Sequence, residues 1–148
     1  MDKFPFNVAK RIQFISITGR PDTTEFGGIH LRYDRFPFDY DTLIMTRLDE
    51  VVTLSKIEID SLSNLIYNVS YAGNKVKFPL ARCFEPLNGI LFFDKNNKVF
   101  ECIQLSFECN KFRTKYKNTG LGALCTTKME RLKKMFLKLG IKSGTSYR

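Results

Sequence analysis

The chain of 148 residues has no Trp, a single His at position 30, and no apolar run near the ~20 residues that a membrane-spanning helix needs. No integral membrane association is therefore expected. The lone His30 sits in Gly27-Gly28-Ile29-His30-Leu31, and nothing in the sequence brings a Cys or Ser nucleophile to it, so a structural or surface role is expected. Tracts rich in Gly, Pro or Ser are missing, as are internal repeats and linkers. The whole of 1–148 reads as a single domain. The four Cys, at 83, 102, 109 and 125, contain no CxxC pair and so lack the chelating spacing of a tetrahedral zinc site. Neither a metal nor a cofactor is expected. Acidic residues nearly vanish towards the C-terminal side: from 111 onward Glu130 stands alone against eleven Lys and Arg.

What is present is material for a core. Fourteen Phe and 43% apolar residues can offset the entropy of ordering the backbone, which excludes a disordered chain. The net charge of +9 is unevenly spread, with residues 1–74 at −2 and residues 75–148 at +11. Such polarity suits a partner with an acidic surface, with nucleic acid as the alternative. A solvated face that maintains solubility has the same composition.

The pattern predicts an α+β fold, with an antiparallel sheet of about five or six strands packed with two helices. Arg11–Thr18, Gly28–Tyr33 and Thr42–Arg47 read as strands, the last two joined by the stretch Asp34–Asp41. Glu50–Ile59 reads as a longer strand whose apolar face switches at a bulge. Asp60 then reads as a helix cap before the stripe Leu62, Leu65, Ile66 and Val69, ended by Gly73. Gly89–Phe93 reads as a buried strand, Asp94–Lys98 as a turn, and Val99–Cys109 as the returning strand. Val99, Ile103, Leu105, Phe107 and Cys109 are expected on one face of it. A final helix is predicted from a capping box at Thr127 and Glu130, with Met129, Leu132, Met135, Phe136 and Leu139 inward and Gly140 as its stop.

Candidate sites follow from these elements. Lys128, Arg131, Lys134 and Lys138 are expected on the water-facing arc of the last helix. Together with Lys111, Arg113, Lys115 and Lys117 they form the candidate binding patch. Phe112, Tyr116, Phe136 and Tyr147 interleave with these cations, as stacking residues do in binders of single-stranded nucleic acid. Asp34, Asp39, Asp41, Asp49 and Glu50 are the carboxylates from which a small hydrolase would be built. Cys102 and Cys109 point to opposite faces of one strand and cannot bridge each other. Cys109 has Cys83 or Cys125 as potential disulfide partners, and four buried thiols are the other reading.

The segment Cys83-Phe84-Glu85-Pro86-Leu87-Asn88-Gly89-Ile90-Leu91-Phe92-Phe93-Asp94, then Phe107-Glu108-Cys109 and a helix ending at Gly140-Ile141, resembles a group of small Bacteroidetes-type proteins. Their shared pattern is CFxPxxGIxFxD, then FEC, then a C-terminal helix. The resemblance implies shared structure at Cys83, Pro86 and Cys109 and an envelope location, since members of that group often carry export signals. Met1-Asp2-Lys3-Phe4-Pro5 has no apolar leader core, so the sequence as written reads as cytoplasmic. The group has no agreed activity, so no functional residue is carried over. The expected role is a non-enzymatic protein-binding module, such as the immunity protein of an antibacterial toxin. A nucleic-acid binder and a small hydrolase are the alternatives.

Overall fold

The computed structural model of the chain describes residues 3–17, 21–23, 29–31, 38–39, 42–43, 48–68, 87–108, 111–114 and 126–145. The elements run β1 (Arg11–Ile17), β2 (Pro21–Thr23), β3 (Ile29–Leu31), β4 (Phe38–Asp39), β5 (Thr42–Leu43), β6 (Leu48–Thr53), α1 (Lys56–Asn68), β7 (Asn88–Phe93), β8 (Val99–Ser106), β9 (Lys111–Thr114) and α2 (Thr126–Lys138). Five strands form one antiparallel sheet in the order β6-β1-β7-β8-β9, packed with the two helices in an α+β fold. Strands β2 and β3 pair as a separate ribbon, and so do β4 and β5. The strands expected around 29–31 and 42–43 therefore belong to ribbons. Their partners β2 and β4 lie in stretches that read as loops, because Pro punctuates both.

β7 is buried at all six positions, as its unbroken apolar run predicts for a central strand. It pairs antiparallel with β8, placing Ile90 opposite Ile103 and Leu91 opposite Cys102. The turn between them forms because the Asp94 carboxylate accepts the backbone N–H groups of Asn96 and Lys98, while Asn97 adopts a φ of 63°. Asn tolerates that left-handed conformation better than most residues. Ile103, Leu105 and Phe107 are buried as expected, at 1%, 0% and 7% exposure. Val99 is not on their face. The register slips between Phe92 and Phe93, so Phe100 is the extra residue on β8, and Val99 turns to the opposite side of the sheet. Cys109 lies outside the described residues.

The helix side of the sheet holds the larger core. Ile12, Phe14, Ile90, Phe92, Ile103 and Leu105 meet Leu62, Leu65 and Ile66 of α1 and Met129, Leu132 and Phe136 of α2. The opposite face carries Ile15, Ile17, Leu91, Phe93 and Cys102, a smaller cluster that includes none of the described helix residues. Cys102 is a free buried thiol, and burial raises its pKa well above the ordinary value, with Glu101 adding to the effect.

The expected strand over Glu50–Ile59 is corrected by the structure: β6 stops at Thr53 and α1 begins at Lys56. Ser55 is the cap rather than Asp60. Its hydroxyl accepts from the Glu58 N–H at 3.3 Å, and the Glu58 carboxylate accepts from the Ser55 N–H at 2.6 Å. This reciprocal pair satisfies two donors at the helix start, and it outweighs the β-branched character of Ile57 and Ile59. Val69 and Gly73 lie outside the described residues. α2 starts at Thr126, one residue ahead of the expected cap, and ends in a Schellman turn. There Ile141 N–H reaches Phe136 O at 2.9 Å and Gly140 N–H reaches Leu137 O at 3.1 Å, with Gly140 at φ 95°.

Candidate functional site

The outer face of α2 is a basic stripe. Glu130, Arg131, Lys134, Leu137 and Lys138 are the exposed residues between 128 and 138, and helical spacing puts them on one arc. Arg131, Lys134 and Lys138 make no ion pair with any described residue, so their charges face water. Leu137 lies among them with 43% of its surface exposed. The stripe is held rigidly from behind, because Leu132 and Phe136 are fully buried and Ile141 closes the helix end in the same core.

Lys128 does not share that stripe. It is 2% exposed, and its ammonium donates to the Ile66 carbonyl at 2.7 Å. The expectation that it faces water is corrected by its spacing: 128, 132 and 136 are one stripe, and the other two are Leu132 and Phe136. Ile66 O is one of the last carbonyls of α1, where a cation satisfies an orphan acceptor and meets the negative end of the helix dipole. Lys128 is thus a structural cap on α1.

The β9 cations lie elsewhere. Phe112 is opposite Leu105 and packs on the helix-side core, so the alternating Lys111 and Arg113 point to the other face of the sheet. They do not join Arg131, Lys134 and Lys138 in one patch. Lys115 and Lys117 lie outside the described residues. Leu137 carries no separate signal in the sequence: it belongs neither to the inward stripe Met129, Leu132, Met135, Phe136 and Leu139 nor to the cations, and its place between Lys134 and Lys138 puts it on their arc.

A second polar cluster joins β6 to the segment after α2. The Glu50 carboxylate accepts from Ser16 Oγ at 2.8 Å, from Ser143 N–H at 2.8 Å and from Lys142 N–H at 3.0 Å. Buried Asn88 donates through Nδ2 to Ser143 O at 2.9 Å. Gly144 has φ 79° and approaches so closely that a Cβ there would strike Asn88 Oδ1 and Leu87 Cβ. Converging backbone N–H groups of this kind form an anion site, and here Glu50 is the anion. Partial burial acts to raise its pKa, but the bonds from Lys142, Ser143 and Ser16, with the Lys142 charge, outweigh burial and hold it below the ordinary 4.5.

Because the folded pKa lies below the unfolded one, this contribution is complete above the ordinary glutamate range and is lost as pH falls through the folded value. E50Q is expected to cost about 1 kcal/mol at neutral pH, a small figure because the group is partly solvated. Urea titrations of both proteins from pH 7 to pH 3 check it, since the gap between them should close only below pH 4.5. A gap independent of pH would mean that the carboxylate's charge does not hold the latch.

Asp49 is exposed at a bulge beside Glu50. Asp34 and Asp41 lie outside the described residues, and the side chain of Asp39 does too. Among the described residues no three His, Cys, Asp or Glu gather in a way that would hold a metal ion, and no helix is long and apolar enough to cross a membrane. No protein-family model, curated protein or solved structure matches the chain.

Proposed function

We propose that the chain is a non-enzymatic protein-binding module that meets an acidic partner surface through the outer face of α2, as an immunity protein would meet a toxin. The observation that carries this is the stripe Arg131, Lys134 and Lys138 around exposed Leu137, set on a helix anchored in the core. Unpaired cations on a rigid element speed encounter with an acidic surface, and a central apolar residue supplies a contact that water leaves on docking. Two aromatics that a nucleic-acid binder would use for stacking are engaged inside: Phe136 is fully buried and Phe112 packs against the core. That favours a protein partner over single-stranded nucleic acid. Glu50, one of the carboxylates available to a hydrolase, is committed to internal hydrogen bonds.

The test uses R131E/K134E/K138E. All three residues are exposed, so folding should change by less than about 1 kcal/mol. Wild-type and variant protein serve as baits in a lysate of the encoding organism, and retained proteins are identified by mass spectrometry. One acidic protein retained by the wild type and lost by the variant is expected. Its on-rate at low salt should fall about tenfold in the variant, with a flatter salt dependence. Equal retention by both baits, or retention abolished by nuclease, would overturn the reading.

A further inference from the structure

We propose, resting on the reading of the outer face of α2 as a docking surface, that its partner presents an acidic helix lying antiparallel to α2. Arg131, Lys134 and Lys138 recur at steps of three and four residues, which spaces them about 4.5 Å and about 6 Å along the axis. Carboxylates three or four residues apart on another helix repeat at the same intervals. A strand, with about 6.6 Å between side chains of one face, overshoots the row by about 3 Å at its third charge. A helix therefore meets all three cations together, and a strand does not.

The direction follows from the order of charges. Glu130, the one acid of α2, is exposed at the N-terminal end of the row, and Lys138 in the last turn closes the other end. Helices hold carboxylates best in their first turn, where the macrodipole is positive. An antiparallel partner sets that acidic turn beside Lys138 and away from Glu130. A parallel partner sets it against Glu130, a like-charge contact that discriminates against this arrangement. The two helix dipoles also attract when they run in opposite directions. Leu137, next to Lys138 and 43% exposed, then meets an apolar residue beside the partner's first acids.

Two synthetic peptides of one composition, each held helical by a hydrocarbon staple, test this against the full chain by fluorescence anisotropy at low salt. One confines its glutamates to a single arc, at positions 1, 4, 5 and 8, with a leucine at position 2. The other spreads the same residues around the helix. The arc peptide should bind about tenfold more tightly, the gain from three exposed ion pairs formed together. R131E/K134E/K138E should lose that preference. A nitroxide on the N-terminus of the arc peptide should broaden the backbone NMR signal of Leu139 more than that of Met129. Equal binding of the two peptides, or none by either, would overturn the helical partner. An acidic protein retained from the lysate would still stand in that case, so the two readings fail separately. Stronger broadening at Met129 would overturn the antiparallel direction. A single-stranded oligonucleotide of equal charge that binds as tightly as the arc peptide would assign the stripe to nucleic acid instead.

Discussion

Replacing Phe136 with alanine is expected to cost about 4 kcal/mol of folding stability. The ring is fully buried and lies stacked on Phe14, with centroids 3.9 Å apart and planes within 5°, while Phe107 meets it edge-on at 5.4 Å. Truncation removes a large apolar body from between the helix and the sheet, and leaves a cavity that flanking strands cannot close. Both aromatic contacts are lost as well, each worth about 1 kcal/mol beyond its area. A domain with about 5–15 kcal/mol in total would be brought near its limit. The measurement is the urea midpoint, with L137A as the control one position along. Leu137 is 43% exposed, so its truncation should cost well under half as much. Equal losses in the two variants would mean that α2 is not docked through Phe136.

The second large effect is expected at Lys128. K128E should destabilise by roughly 3–5 kcal/mol, because it sets a buried negative charge against the Ile66 carbonyl where a cation now donates a hydrogen bond. K128M keeps most of the volume and loses the charged donor, so a cost of about 2 kcal/mol is expected. By contrast K134E, six residues along and on the exposed arc, should stay within about 0.5 kcal/mol. Thermal or urea unfolding of the three variants gives the comparison. If K128E and K134E unfold alike, the hydrogen bond to α1 is not holding Lys128 in the interior.

These two positions also mark what the sequence conveys. The stripe Met129, Leu132, Phe136 fixed the inward side of α2, and the uninterrupted apolar run of β7 marked it as a central strand, because burial of apolar surface is written in spacing. Lys128 was misread for the same reason: its spacing matches Leu132 and Phe136, but its charge argues for water. Only the neighbouring end of α1 supplies the acceptor that makes its burial favourable, and that neighbour is a tertiary fact. Ser55 and Glu58 are a different failure. Their capping spacing was present in the sequence, yet the valines and isoleucines on either side suggested a continuing strand. The basic stripe of the candidate site was legible in Arg131, Lys134 and Lys138. Its separation from Lys111 and Arg113 was not, since that depends on which face of β9 meets the helices.

The strand order has a consequence for synthesis. β1 precedes the other four strands of its sheet in the chain, yet it lies between β6 and β7, with Ile12 and Phe14 buried on one face and Ile15 and Ile17 on the other. Strands β6 and β7 are each antiparallel to it and hence parallel to one another, with α1 carrying the chain across between them. β1 therefore cannot acquire its second neighbour until Asn88–Phe93 has emerged. Until then the nascent chain holds an apolar strand with an open side, the kind of segment that invites chaperones or a stray strand. Closure of the sheet is gated by the arrival of β7, and the slow step of folding is expected to be the insertion that joins residues some 75 positions apart.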